Sequence, residues 1–245
     1  MANFNRYITA GSIVNNAAAE CGLTPVSNPY ASTDPAIVQL RYLLNTGGLE
    51  LLAVYPWQQL TKEANHTILY GDANTFSLPD DFDRMLDQTS WDRTQNESLL
   101  GPVTSQQWQT IKGRVVSADI DITFRYNQDV ILVHPDPPAG SGTYADIFYE
   151  YISRGWVQDG SVTTTYKDFV EASADLVLFD PLLMTKLLKL RFLGAKGFDT
   201  TDISDQVSRA FSSATGKNTA AQVLSVAPNF VTNLQPWAGV IGVTP

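Results

Sequence analysis

A chain of 245 residues with 44% apolar and 17% charged side chains is long enough to bury one large core or two small ones, and its apolar share excludes a disordered polymer. A net charge of −9 argues against a protein that grips nucleic acid by its phosphates, because such a grip needs clustered Lys and Arg. The single cysteine, Cys21, excludes an intrachain disulfide or a multi-cysteine metal site, and no apolar run is as long as a membrane span.

The first helix is expected over residues 8–21, with Ile13, Ala17 and Cys21 at i+4 spacing and Gly22 as its stop. A turn-rich link follows, and Asp34-Pro35 supplies an N-cap with proline in the first helical position. From there Ile37, Leu40, Leu44, Leu51 and Tyr55 trace an apolar face toward Pro56-Trp57. Gly47-Gly48 lies midway, where each glycine costs about 1 kcal/mol relative to alanine, so either the helix breaks or another backbone packs close.

After Leu60 the pattern changes to short alternating runs, and residues 66–70, 75–78, 89–93, 120–126, 129–134 and 145–152 read as strands. Residues 126–129 make a hairpin turn, residues 135–140 a longer loop closing the next pair, and Thr104 caps a helix over 104–109. No long crossover separates these strands, so the sheet is expected to be mainly antiparallel. Helix then returns. Residues 168–178 are helix-compatible, and Asp180-Pro181 opens an apolar helix over 182–193 whose polar stripe of Thr185, Lys189 and Lys196 is narrow. An amphipathic helix over 202–214 follows. Beyond Gly216 apolar residues scatter among Pro, Gly and Asn and read as an extended arm, with Phe230, Leu234, Trp237 and Ile241 as candidates for contact with a partner. The expected fold is α+β: a helical bundle (residues 1–61 and 159–215) with an inserted, mainly antiparallel β-rich portion (62–158) and an extended C-terminal arm (216–245).

Four carboxylates, Asp80, Asp81, Asp83 and Asp87, crowd the stretch from Thr75 to Trp91. They could hold a metal or act as general acid and base, but carboxylates that cap a turn or helix start need no chemistry to explain them. The expected arrangement is a structural corner. Leu78-Pro79 ends a strand, Asp80 or Asp81 caps the turn, Phe82 and Met85 tuck into the core, and Trp91 anchors the next strand. Residues 72–83 superficially resemble a calcium loop, but Phe76 and Ser77 stand where an oxygen ligand and a glycine belong. His66 and His134 fall on separate strands, His66 at an exposed position, without zinc-ligand spacing. Cys21 lacks a local basic partner, and no nucleophile elbow, P-loop or dinucleotide fingerprint occurs, so neither an enzyme nor a cofactor is expected. The aromatics lack the interleaved basic residues of a nucleic-acid platform and are expected in core and interface positions, with Trp57, Trp91, Trp108 and Trp156 at the ends of elements. The start of the chain lacks a long apolar run, so a soluble protein made in the cytoplasm is expected.

Tyr55-Pro56-Trp57-Gln58-Gln59-Leu60-Thr61-Lys62-Glu63, Leu78-Pro79-Asp80-Asp81-Phe82-Asp83-Arg84, Trp91-Asp92-Arg93, Gly101-Pro102-Val103-Thr104-Ser105-Gln106-Gln107-Trp108 and His134-Pro135-Asp136-Pro137-Pro138 together resemble the head-to-tail adaptor (neck) proteins of short-tailed bacteriophages. Leu193-Gly194-Ala195-Lys196-Gly197-Phe198-Asp199 is similar to the same family, and the resemblance spans roughly residues 35–211. It implies a virion protein that forms a ring of about twelve copies by heterologous contacts. Its partners are then the portal and the tail nozzle or a tail fibre protein, and DNA passes through the channel without sequence-specific binding. Two rival readings start from the same residues: a host-surface or glycan-binding tail module built on the aromatics, and a hydrolase using the aspartates.

Overall fold

The chain's structure, a computed structural model, describes residues 6–113 and 122–218. The elements are β1 (Ile8–Thr9), α1 (Ala10–Glu20), α2 (Pro35–Val54), β2 (Thr61–Leu69), β3 (Thr75–Ser77), β4 (Phe82–Met85), β5 (Trp91–Asp92), β6 (Glu97–Ser98) and α3 (Ser105–Lys112). They continue with β7 (Thr123–Asn127), β8 (Val130–His134), β9 (Thr143–Ser153), β10 (Val157–Gln158), β11 (Tyr166–Lys167), β12 (Leu176–Val177), α4 (Pro181–Ala195) and α5 (Thr201–Asn218). All strand pairing within the three sheets is antiparallel.

Local chemistry starts the helices. The Thr9 hydroxyl accepts from Ser12 N–H (3.3 Å) ahead of α1, Asp34 Oδ1 from Ala36 N–H (2.8 Å) ahead of α2, and Asp180 Oδ1 from Leu182 N–H (3.0 Å) and Leu183 N–H (3.2 Å) ahead of α4. Pro35 and Pro181 occupy the first helical positions, where no N–H is needed. Thr104 and Gln107 form a reciprocal capping box at α3. Helix α4 packs against α1, α2 and α5 and buries Leu183, Met184, Leu188 and Phe192. Thr185 is buried rather than part of a polar stripe, and its hydroxyl donates to Pro181 O at 2.8 Å. Asp180 also holds Lys217 Nζ (3.1 Å) through Oδ2, so one carboxylate joins the start of α4 to the end of α5.

The expected helical bundle with a β insertion is not what forms. The helices share their core with a four-stranded sheet, β1-β12-β10-β11, and two further sheets, β2-β9-β5-β6 (with β4 also on β9) and β3-β8-β7, make this a β-rich chain with five helices. The strands of the first sheet are two residues long, too short to carry a period of two, so residues 168–178 look helical in sequence. A buried carboxylate opposes that helix. Asp175 is 1% exposed and takes the N–H groups of Glu171 (2.9 Å), Ala172 (2.9 Å) and Gly160 (3.2 Å), which spends the donors a helix would use. Lys167 Nζ pairs with the same carboxylate at 3.2 Å.

The second core lies between the other two sheets and contains Ile68, Phe76, Phe124, Ile131, Val133 and Ile147. Strands β7 and β8 form the expected hairpin, but β8 pairs with β3 and β7 while β9 pairs with β2. The loop after His134 therefore crosses from one sheet to the other and does not close a pair. Strand β2 lies beside β9 over nine residue pairs, from Thr61↔Ile152 to Leu69↔Thr143. Ile152 belongs to the helical core and Tyr149 and Tyr151 to the sheet core, so this ladder runs from one core into the other. Helix α5 continues through Gly216 to Asn218, past the expected start of the arm, and Phe230, Leu234, Trp237 and Ile241 lie outside the described residues. Among the described residues no helix is long and apolar enough to cross a membrane.

Helix α2 does not break at Gly47-Gly48. Side chains rather than another backbone use the space, with Leu187 against Gly47 and the Trp156 ring against Gly48. Trp156 is fully buried and stacks on Phe179 with ring centroids 5.7 Å apart. Gly48→Ala gains about 1 kcal/mol of helix propensity but drives a methyl into that ring, so a net loss of about 2 kcal/mol is expected in urea unfolding. A stability gain would contradict this packing.

Candidate functional site

The aspartate-rich corner folds as a strand rather than a capped helical turn. Phe82 N–H bonds Pro79 O at 3.0 Å to close the turn, and β4 then pairs with the end of β9, Phe82↔Ser153 and Met85↔Tyr151, with an irregularity between Phe82 and Arg84. Asp81 does not cap the turn. Its carboxylate accepts from Lys62 Nζ (2.6 Å), Ser153 Oγ (2.6 Å) and Tyr151 Oη (2.8 Å), and its carbonyl from Arg154 N–H (2.7 Å). Partial burial pushes the Asp81 carboxyl up, but the three side-chain hydrogen bonds outweigh it and hold the pKa below the ordinary Asp value. Burial first, and then the hydrogen bond to Asp81, push the Tyr151 phenol up.

The neighbouring residues also tie elements together. Arg154 donates to Asp80 O at 2.7 Å. Arg84 pairs with Asp83 (2.7 Å) and donates to Leu52 O (3.0 Å) and Tyr55 O (3.3 Å), carbonyls at the end of α2 that the helix leaves without partners. Phe82 is half-buried and stacks on Tyr151, centroids 5.6 Å apart. Nothing local marks Arg84, Lys62, Tyr151 or Ser153 for these roles, because each depends on strand register. The register that sets Lys62 beside Tyr151 could only be found by matching the inward faces of β2 and β9.

A cleft of about 930 Å³ opens between the corner and the tip of the β7–β8 hairpin, lined among others by Pro79, Asp80, Phe82, Asp87, Tyr126 and Asp129. Asp83, Arg84 and Arg154 also line it, so its wall mixes four aspartates with two arginines and the rings of Phe82 and Tyr126. Trp91 lies apart from the cleft. It pairs across the strands with Phe148 on the outer face of the β2-β9-β5-β6 sheet and is 37% exposed, while its neighbour Asp92 is the buried residue of β5. Arg93 lies over the Phe148 ring (3.4 Å to the centroid) and pairs with Glu63 at 3.0 Å, and these residues border a hollow of about 330 Å³.

The two histidines are also separate. His66 is half-buried rather than exposed and stacks on Phe76 (4.4 Å), and burial pushes its pKa down. His134 is 8% exposed and packs edge-on to Trp108 at 6.0 Å, and among the described residues neither ring nitrogen has a hydrogen-bond partner. Trp57, Trp108 and Trp156 are buried, and Cys21 is half-buried at the end of α1. Among the described residues no three His, Cys, Asp or Glu side chains converge to hold a metal ion.

Asp81→Asn removes the charge that three donors share, and a loss of about 1–2 kcal/mol is expected at neutral pH after allowance for partial exposure. The folded carboxyl titrates below the unfolded one, so its contribution is present above the ordinary Asp range and is lost as the pH falls through the folded value. The stability gap between wild type and Asp81→Asn should therefore close as the pH drops below about 4, measured by urea titration; a gap constant with pH would disprove the pinning. No family model matches the chain, and no curated protein is similar to it.

Proposed function

We propose that the protein is a structural virion component, a head-to-tail adaptor that forms a closed ring between the portal and the tail nozzle and surrounds the DNA channel. The observation that carries this reading is a charge-free stripe on the outside of α2. Val38, Tyr42, Thr46, Leu49 and Ala53 recur every three or four residues along one side of the helix, opposite the buried Leu40, Leu44 and Leu51. Tyr42 is 73% exposed, and the flanking Glu50 is already paired with Arg191 of the same chain. A monomer gains nothing by holding such a stripe in water, whereas a ring buries it at every subunit boundary.

The corner fits the same reading, because Asp81, held by Lys62, Tyr151 and Ser153, and Asp83, held by Arg84, brace the junction of the two cores. The overall charge of −9 keeps phosphates from sticking to a channel wall. Ring closure by about twelve copies is expected in the particle. Imaging of the neck by cryo-EM should show a closed ring of this chain. Tyr42→Asp and Leu49→Asp should keep the melting temperature of the isolated protein yet weaken ring association by about tenfold or more. Single copies at the neck, or rings that tolerate both substitutions, would sink the proposal.

The outward Trp91 favours a second reading, a host-surface or glycan-binding tail module. Its ring, with Phe148 and the Arg93–Glu63 pair beside it, offers an apolar plate edged by polar groups. This reading requires bacterial surface glycans to bind wild type and to lose about tenfold or more affinity with Trp91→Ala in titration calorimetry. No binding by wild type removes it.

A further inference from the structure

Strand β2 is paired on one side only: β9 covers one edge, and among the described residues no strand lies along the other. The directions of its backbone groups follow from its last residues. Tyr70 N–H reaches across to Gly142 O (3.1 Å), next to β9, while Leu69 N–H points the opposite way, to Asp72 Oδ2 (2.8 Å). Since directions alternate along a strand, the N–H and C=O groups of Glu63, Asn65 and Thr67 face the open edge. An open row of this kind is a template for another extended segment. The usual guards are missing from its middle. β2 contains no proline, its one irregularity lies at Ile68/Leu69, Lys62 is turned to Asp81, and Glu63 is held by Arg93.

The chain leaves the described body near the start of this strand. Helix α5 ends at Asn218, beside the Lys217–Asp180 pair (3.1 Å), and Leu178, two residues before Asp180, accepts at its carbonyl from Gln59 Nε2 (3.1 Å), two residues before β2. The 27 residues that follow contain no charged side chain, so laying them on an edge desolvates no ion. Extended, they reach about 90 Å, against about 30 Å for the length of β2. Between Pro228 and Pro236 lies a run free of proline and glycine, Asn229-Phe230-Val231-Thr232-Asn233-Leu234-Gln235, in which the β-favouring Phe, Val and Thr are adjacent.

We propose that residues 229–235 dock as an added strand on the open edge of β2 in the same chain, opposite Glu63, Asn65 and Thr67. Backbone hydrogen bonds supply the affinity, and alternation places Phe230, Thr232 and Leu234 on one face and Val231 and Asn233 on the other. A tether that starts near β2 gives the segment an effective concentration of about millimolar, which favours its own chain over a second copy. The docking stands apart from the adaptor reading, since it needs neither a ring nor a portal.

The test uses the full chain and a variant with Val231→Pro and Thr232→Pro together, which removes the inward donor whichever of the two residues supplies it. In amide exchange followed by NMR, Glu63, Asn65 and Thr67 should exchange about tenfold or more slowly in wild type than in the variant, with the exchange of β9 unchanged. Equal rates in the two proteins overturn the proposal. A second measurement places Asn65→Cys and Thr232→Cys in a Cys21→Ser background and oxidises the thiols. A disulfide within one chain is the expected product; one between two chains, or none, refutes docking on the chain's own edge.

Discussion

The antiparallel pairing of β2 with β9 is the constraint on which the rest of the protein depends. Each strand begins or ends in the core built around α4 and passes into the core between the β2-β9-β5-β6 and β3-β8-β7 sheets, so its nine paired positions serve both. A one-residue slip of β2 would turn Ile68 out of the second core and misplace Lys62 relative to Tyr151. The corner at Asp81 closes this ladder at the end nearer the helices. It gathers Lys62 from β2, Tyr151 and Ser153 from β9, and the turn before β4 around one carboxylate.

What could be read from the residues was what local chemistry decides. Asp34-Pro35, Asp180-Pro181 and Thr104 start helices through contacts within four residues, and all three starts are present in the fold. The β7–β8 hairpin and most of β9 are visible as alternating runs, whereas β2 reads as strand only from His66 and its first five residues, Thr61 to Asn65, do not. The two-residue strands were not, because their pairing is decided by partners up to about 170 residues away and leaves no period in the sequence. The corner was legible as a place and not as a mechanism. Its aspartates suggested caps, while their partners come from strands whose register the sequence does not state. The outward turn of Trp91 and the inward turn of Asp92 reverse the polarity rule and depend on how β5 meets β9.

Charged side chains in this chain act as connectors between separate segments. Asp175 organises the loop between β10 and β12, Glu20 at the end of α1 holds Lys186 and Lys189 of α4, and Arg84 links β4 to the last carbonyls of α2. The exposed pairs among them contribute about 0–1 kcal/mol each, so the buried Asp175 carries more weight than the rest. A chain with so few charged side chains thus commits many of those it has to internal joints. That leaves its outward helix stripe free of ions.

Asp180 has a mechanical consequence. Its two oxygens bind different structures, Oδ1 the first turn of α4 and Oδ2 the last turn of α5. A pull on the chain beyond Asn218 therefore does not simply unzip α5 from its tip. The load passes through Lys217 to the first turn of α4, directly after the fully buried Phe179 and the Trp57 and Trp156 rings that pack on it. Tension at the end of α5 is shared with this buried aromatic cluster, as in a rope tied to a beam.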